Sequence, residues 1–216
     1  MFNANFISNL THKAFQFFDQ SYYQQAEEQF KALQPCLDDY LTHLRPRDRI
    51  LEIGCGIGLT LAYLLENGFT NLLGIDISDK ALREAMKRVP AHYLLKQDFH
   101  ELNFERANFA AIIAINSLHY TSKKLLPSIF RSLDYFSTPR AHFFLVLPQG
   151  EGERLQEEVY RDESGKEEKH LVYHSFFQEE EIAHLLAEGN FILDECRPLQ
   201  HSAFAFPLLV CYAQKK

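Results

Sequence analysis

Residues 49–58 of this 216-residue chain read RILEIGCGIG, and this stretch decides the fold. Ile50, Leu51 and Ile53 form a short apolar run with β-branched side chains, which is typical of a strand buried on both faces of a parallel sheet. Three glycines follow within five residues, and the helical pattern LTLAYLL begins at Leu59. A strand, a glycine loop and a helix in this order form the first half of a Rossmann-type unit, which binds its ligand at the carboxyl end of the strand.

The spacing of the glycines indicates which ligand the loop binds. The dinucleotide fingerprint G-x-G-x-x-G would need a glycine at position 59, so the presence of Leu59 excludes a nicotinamide-linked oxidoreductase. The chain has E-x-G-C-G-x-G instead, from Glu52 to Gly58, and this resembles motif I of the class I methyltransferases that use S-adenosylmethionine (SAM). SAM has no pyrophosphate for a helix N-terminus to bind. It carries an ammonium, a carboxylate and a sulfonium, and an acidic residue beside the glycines suits such a ligand.

The resemblance implies a complete cofactor site. Asp76 ends a second predicted strand about 20 residues after the glycine loop, where this fold places the acid that binds ribose hydroxyls. By resemblance, Asp76 holds the ribose of SAM, Ile77 packs on its adenine, and Asp98 and Phe99 contact the adenine ring. The predicted cofactor-binding residues are Glu52, Gly54, Cys55, Gly56, Gly58, Asp76, Ile77, Asp98, Phe99 and Asn116.

The order of the predicted elements indicates the architecture. From Arg49 onward strands and helices alternate, and the chain closes with two strands at Phe191–Cys196 and Phe206–Tyr212. The resemblance implies an α/β fold: a three-layer sandwich with a seven-stranded, mostly parallel sheet in the order 3-2-1-4-5-7-6, with the last strand antiparallel. The SAM-binding methyltransferase domain would occupy residues 49–216.

Residues 1–48 are predicted to form an N-terminal helical cap. Their apolar and aromatic side chains recur at helical spacing, and Pro35 is expected to break the pattern. In the family such a segment packs over the cofactor and helps to form the substrate pocket. Tyr22 or Tyr23 would then lie near the sulfonium, since an aromatic face attracts a cation. A core-facing aromatic stripe is the alternative for these two tyrosines.

The segment after the fourth predicted strand is expected to form the acceptor side. It reads NSLHY, from Asn116 to Tyr120, and similar ends line the junction of methyl donor and acceptor in small-molecule methyltransferases. His119 is the predicted general base because histidine titrates near neutrality; a histidine that only packs or orients is the alternative. Tyr120 and His174 are further candidates for substrate binding on the same rim. The charged residues 149–169 are either a solvated helix and loop or an insert that shapes the acceptor pocket.

Composition narrows the class of partner and the compartment. Acidic residues outnumber basic ones 29 to 22, and the resulting net charge of -7 disfavours nucleic acid. The four cysteines have neither zinc nor disulfide spacing, so no metal site is expected and a reducing compartment is the default. We find no signal-peptide pattern and no membrane-spanning apolar run, which predicts a cytoplasmic monomer or homodimer without membrane partners.

These features together predict a SAM-dependent methyltransferase that acts on a small-molecule acceptor and releases S-adenosylhomocysteine. Two alternatives stay open. The first is a SAM-binding partner or regulatory protein without catalysis. The second is a nucleic-acid or protein methyltransferase on the same fold, which is disfavoured because the chain has no added basic domain and no N/D-P-P-Y sequence after its fourth strand.

Overall fold

The computed structural model describes residues 6, 7, 10, 20–161 and 166–216. Its strands are β1 (Ile50–Ile53), β2 (Leu72–Asp76), β3 (Leu94–Lys96), β4 (Phe109–Ile115), β5 (Ser137–Pro148), β6 (Glu153–Arg161), β7 (Glu167–Ser175), β8 (Phe191–Leu199) and β9 (Leu208–Lys215). Its helices are α1 (Gln20–Leu41), α2 (Leu59–Glu66), α3 (Asp79–Ala85), α4 (Leu126–Phe136) and α5 (Glu179–Glu188). Three short 3-10 turns lie at Ala91–Tyr93, Phe99–Glu101 and Leu118–Tyr120.

Seven of the strands form one sheet in the order β3-β2-β1-β4-β5-β9-β8. Strands β1 to β5 pair in parallel, and β9 runs antiparallel to both β5 and β8. The predicted order 3-2-1-4-5-7-6 with an antiparallel last strand is therefore confirmed once β6 and β7, which form a separate hairpin, are set aside.

The sheet separates two hydrophobic cores, which makes the molecule a three-layer sandwich. Neighbouring residues of a strand point to opposite faces, so Leu51 belongs to one core and Ile50 to the other. The first core packs the sheet against the apolar sides of α4 and α5. The second packs it against α1 and α2 through residues that include Leu37, Tyr40 and Leu61. Both faces of the central strands are thus buried, which explains their continuous apolar runs.

Helix α1 passes through Pro35 without a break, and the predicted interruption there is wrong. A proline inside a helix removes one backbone hydrogen bond and costs stability. In α1 the residues on either side of it, Leu33 and Leu37, are buried against the sheet. The hydroxyl of Tyr212 also donates a hydrogen bond to the Cys36 carbonyl at 2.7 Å. Packing against the sheet and this hydrogen bond to β9 stabilise the helix around Pro35.

The charged segment after β5 is a β-hairpin, so of the two alternatives left open for it, the solvated helix and loop is wrong. Strands β6 and β7 pair antiparallel from Glu153 opposite Ser175 to Arg161 opposite Glu167. Burial alternates along the first part of β7 as it does in a strand, up to Leu171, which is 49% exposed, and Val172, which is fully buried. The hairpin is inserted between β5 and α5, beside the carboxyl end of the parallel strands.

Candidate functional site

The carboxyl ends of β1, β2 and β4 meet at the glycine loop. The backbone N–H groups of Gly54 and Cys55 both donate to the Ile75 carbonyl, at 2.8 and 2.9 Å, and this ties the loop to β2. Gly56 has a φ of 51° in the left-handed region, where a residue without a Cβ is favoured. Its N–H points to the Asp76 carboxylate at 2.9 Å, so the loop and the acid at the end of β2 form one structure.

A cavity of about 540 Å³ opens above this junction. Of the predicted site residues, it is lined by Glu52, Gly54, Cys55, Gly56, Asp76, Ile77, Asp98, Phe99, Asn116, His119, Tyr120 and His174. The structure therefore brings together candidates from five different segments of the chain. The roles assigned to them remain predictions.

Three predicted residues stand apart from this group. Gly58 does not line the cavity; its missing side chain leaves room for helix packing, since a Cβ there would lie 3.1 Å from the Cβ of Ala85 in α3. Tyr22 and Tyr23 belong to α1, but their side chains lie outside the described part of the chain. Their predicted position near the sulfonium stays a prediction.

Glu52 is a buried acid without full hydrogen bonding. Only 3% of its surface is exposed, and burial raises its pKa to about 8, although a hydrogen bond from Thr60 acts in the opposite direction. Its Oε2 atom is completely buried and has no partner. A buried carboxyl group of this kind carries a desolvation cost that a bound cation would offset.

Asp76 is held by the backbone on both of its oxygens. Oδ2 accepts a hydrogen bond from Gly56 at 2.9 Å, and Oδ1 accepts one from Ser78 at 2.8 Å. Burial raises the pKa of Asp76, whereas these hydrogen bonds lower it, and the effect of burial is the larger. The carboxylate is consequently fixed in one orientation at the cavity wall.

A hydrogen-bonded chain supports the turn after β3. The Asp98 carboxylate accepts from the His100 backbone N–H at 2.9 Å and lies 2.7 Å from the His100 Nδ1. The other ring nitrogen, Nε2, is 2.7 Å from the Thr121 hydroxyl oxygen. This chain fixes Phe99 and Asp98 on one wall of the cavity and links them to the segment after β4.

The segment after β4 contains buried polar atoms without partners. Asn116 adopts a φ of 48°, and its Oδ1 and the Ser117 hydroxyl are completely buried without a hydrogen bond. His119 is 4% exposed, and its Nδ1 is likewise buried and unpartnered. Burial and the neighbouring His174 imidazole hold the pKa of His119 well below its usual range, so the ring is neutral at pH 7.

The inserted hairpin contributes residues that the sequence did not single out. Gln156, Glu157, Glu158 and Val159 of β6 line the cavity together with His174 of β7. His174 is 2% exposed, and its Nε2 lies 2.8 Å from the Glu158 Oε1. A signal for the hairpin existed in the sequence: the stretch DESG at 162–165 has turn composition.

Two further segments complete the wall. Residues 204–206, in the loop before β9, contribute Phe204, Ala205 and Phe206, and α1 contributes Gln25, Gln29 and Phe30. The aromatic ring of Phe206 lies 6.0 Å from the His174 ring. These residues complete the lining of the cavity.

Neither a metal cluster nor a membrane-spanning helix occurs in the part of the chain that the structure describes. There, no three His, Cys, Asp or Glu side chains are grouped so that they could hold a metal ion. Within the same residues, none of the helices combines the length and the apolar character that a membrane span requires.

Residues 50–136 match a protein-family model described as a methyltransferase domain. The matched range begins with β1 and ends with α4, so it contains the glycine loop, Asp76, Asp98 and His119. This part of the chain is therefore similar to a methyltransferase domain. The Glu52 Oε2 atom has no hydrogen-bond partner among the described residues, which fits the ammonium of SAM. Gly56 has no Cβ, so the backbone of the loop is accessible, which fits the amino-acid tail of SAM.

Solved structures share the fold of this chain. The Burkholderia thailandensis 1,6-didemethyltoxoflavin-N1-methyltransferase, with bound 1,6-didemethyltoxoflavin and S-adenosylhomocysteine, superposes with a TM-score of 0.73 at 18% identity. The superposition covers 100% of this chain and 92% of the other.

Two curated relatives resemble only part of the chain. The human eEF1A lysine and N-terminal methyltransferase is 28% identical over 75 residues, which are 33% of this chain and 11% of that protein. The Escherichia coli cyclopropane-fatty-acyl-phospholipid synthase is 28% identical over 104 residues, which are 47% of this chain and 26% of that protein. The chain thus spans about a quarter or less of the length of these relatives.

Proposed function

We propose that the chain transfers the methyl group of SAM to a small-molecule acceptor and releases S-adenosylhomocysteine. The observation that carries this proposal is the continuous cavity of about 540 Å³ that extends from the glycine loop to the inserted hairpin. Its volume lies within the usual range of small-molecule sites. The hairpin and the loop at 204–206 line the same cavity as the glycine loop, and the acceptor would bind beside them.

The donor side would be formed by the residues after β1, β2 and β3. Glu52 would face the ammonium of SAM, the Asp76 carboxylate would accept its ribose hydroxyls, and Asp98 with Phe99 would contact its adenine. When bound, SAM supplies a methyl group that is already activated on a cationic sulfur. The protein therefore has to align the acceptor at about 3 Å and exclude water.

His119 is the proposed general base on the acceptor side. Its ring is neutral at pH 7, and its Nδ1 forms no hydrogen bond with the residues that the structure describes. His119 lines the cavity, and a neutral ring with its hydrogen on Nδ1 would have Nε2 available to accept a proton. Tyr120 packs against His119 with ring centroids 3.9 Å apart and would restrict its orientation.

A small acceptor is supported by the charge of the chain and by the Burkholderia structure. That enzyme holds 1,6-didemethyltoxoflavin, which is a small molecule, and the superposition extends over the whole of this chain. The relatives named for protein and phospholipid substrates match at most 47% of the chain. The net charge of -7 disfavours nucleic acid.

We assign residues 49–216 to the methyltransferase domain and residues 1–48 to a cap over it.

The proposal can be tested with SAM that carries an isotope in its methyl group. The protein is incubated with this SAM and a cell extract, and the products are separated by ultrafiltration into metabolites and macromolecules. Label in a low-molecular-weight product, with formation of S-adenosylhomocysteine, is expected for the wild type and not for Asp76→Ala. Label only in the macromolecular fraction would contradict a small acceptor. Tight SAM binding without any turnover would favour the non-catalytic alternative.

A further inference from the structure

Carboxylates outnumber basic side chains among the described residues of the cavity wall. Among the described residues that line the cavity there is no lysine or arginine, whereas five carboxylates line it. Glu52, Asp76 and Asp98 stand on the donor side. The other two, Glu157 and Glu158, are neighbours on β6 of the inserted hairpin.

The two hairpin carboxylates differ in their surroundings. Glu157 is 2.6 Å from the ammonium of Lys169, which lies on the exposed surface, so its charge is balanced outside the cavity. Glu158 is 2.8 Å from the Nε2 of His174, a residue that is 2% exposed. Glu158 is therefore the carboxylate whose position is fixed from the interior of the protein.

The buried His174 holds Glu158 through its Nε2 atom. Because a carboxylate only accepts hydrogen bonds, Nε2 carries the hydrogen of this contact and donates it to Glu158. The His174 ring is stacked on His119 with ring centroids 5.4 Å apart. Glu158 and the proposed base His119 are thus connected through one packed imidazole and line the same cavity.

This arrangement offers hydrogen-bond acceptors and aromatic faces. The Glu158 carboxylate accepts hydrogen bonds only, and the neutral His119 accepts one at Nε2. Arg154 of β6 lies over the Phe206 ring, 5.5 Å from its centroid, and does not line the cavity. A carboxylate or phosphate group would therefore meet like charge from the carboxylates that line the cavity. A hydrogen-donating group without negative charge would find a charge-assisted partner there, and the rings of Tyr120 and Phe206 would cover an apolar body.

We propose that Glu158 binds the methyl acceptor. This acceptor is an amine or a nitrogen heterocycle whose N–H donates a hydrogen bond to Glu158. His174 is a positioning residue that orients the Glu158 carboxylate. The inference rests on the proposed function and specifies its substrate class. In the reaction the acceptor nitrogen forms a bond to the methyl carbon. The S–CH3 bond breaks with its electron pair returning to sulfur. The proton of the acceptor nitrogen passes to His119 or to Glu158.

The test compares three ligands of similar shape and different charge. Protein saturated with S-adenosylhomocysteine is titrated by calorimetry with 2-phenylethylamine, 2-phenylethanol and 3-phenylpropionate. We expect the amine to bind at least tenfold more tightly than the carboxylate, with the alcohol between them. In Glu158→Gln the amine should lose about tenfold in affinity and the alcohol less than twofold. Glu157→Gln is the matched control and should keep the wild-type order.

The positioning role of His174 is tested with two variants at the same site. Gln can place an N–H close to the position of Nε2, so His174→Gln should keep the preference for the amine over the alcohol. His174→Phe cannot donate, and the ratio of the two affinities should fall severalfold at unchanged thermal stability. A purely structural role would change both affinities alike and leave their ratio as it is, and that result would contradict the positioning role.

The outcomes separate this inference from the proposed function. If S-adenosylhomocysteine does not bind, the proposed function fails before any acceptor is added. If it binds but the carboxylate binds as well as the amine, the substrate class is wrong while the methyl donor stands. The same holds if Glu158→Gln leaves the order unchanged, or if none of the three ligands binds at millimolar concentration.

Discussion

Gly54 and Ser117 approach each other so closely that a side chain at position 54 has no room. A Cβ built on Gly54 would lie 2.4 Å from the Ser117 Cβ, a distance that real Cβ atoms do not show. Gly54 also has a φ of 72°, in the region that favours glycine. The loop after β1 is thus packed directly against the turn after β4, and the donor and acceptor sides of the cavity share this contact.

Replacing Gly54 by alanine should cost more stability than backbone strain alone. Gly68 serves as the control because its φ is 84° and a Cβ there would meet nothing within 4 Å. We expect Gly68→Ala to lower the free energy of unfolding by about 1 kcal/mol. Gly54→Ala should lower it by at least twice that amount because the clash adds to the strain. Urea denaturation of both variants measures the difference, and equal losses would contradict the packing argument.

Asp76→Ala should weaken the binding of S-adenosylhomocysteine. The substitution removes the carboxylate that accepts N–H groups from Gly56 and Ser78 and that is proposed to hold the ribose. Charged hydrogen bonds contribute about 1.5–3 kcal/mol each, so we expect a loss of at least tenfold in affinity by calorimetry. Asp79→Ala, at an acid that pairs with Lys96 on the surface, is the control. An unchanged affinity in Asp76→Ala would disprove the ribose assignment.

Glu52 should make the stability of the ligand-free protein depend on pH. Its pKa is about 8 in the folded state, above the ordinary value of 4.5, because the group is buried. Between these two pH values the unfolded chain releases a proton that the folded protein keeps. The free energy of unfolding should therefore fall as the pH rises from about 4.5 to 8.

Thermal unfolding of the wild type and Glu52→Gln between pH 5 and 9 tests this expectation. The variant has no carboxyl group to ionise, so its stability should decline less over this range than that of the wild type. Parallel curves for the two proteins would show that Glu52 ionises normally in the folded state. Glu158→Gln, at a half-buried acid, provides a control for a general effect of removing one carboxylate from the cavity wall.

Tyr40 joins helix α1 to the middle of the sheet. Its side chain is 1% exposed, and its hydroxyl donates to the Ile112 carbonyl of β4 at 3.2 Å. We expect Tyr40→Phe to lower the free energy of unfolding by about 1 kcal/mol, since the buried carbonyl loses its donor. Tyr135→Phe is the matched control because that ring is 54% exposed. A loss in Tyr135→Phe as large as in Tyr40→Phe would contradict the explanation.

The sheet could be predicted because its signals are local. Ile50 and Leu51 point to opposite cores, so β1 is apolar on both faces except at Glu52, and β4 is apolar throughout. The glycine loop and Asp76 then fix the cofactor side, since their positions follow from the order of the strands. The family model matches the range that contains these features, residues 50–136.

The acceptor side could not be predicted to the same extent, because its residues are defined by long-range pairing. Glu158 stands among several acids of the segment 149–169, and nothing in its immediate neighbourhood distinguishes it from Glu157. Only the register of the hairpin and the position of His174 do so. The continuity of α1 through Pro35 could not be predicted for a similar reason, since the packing that holds the helix together comes from the sheet and from Tyr212.

The first and last residues of the hairpin, Glu153 and Ser175, are paired, so the two ends of this insertion lie close together. Evolution can therefore lengthen, shorten or replace the intervening chain without displacing the parallel strands. On the proposed function, selectivity for the acceptor would then diverge while the methyl donor stays the same. For protein engineering, residues 153–175 form a compact cassette, and chimeras that exchange it should inherit the preferences of the protein that supplies the graft.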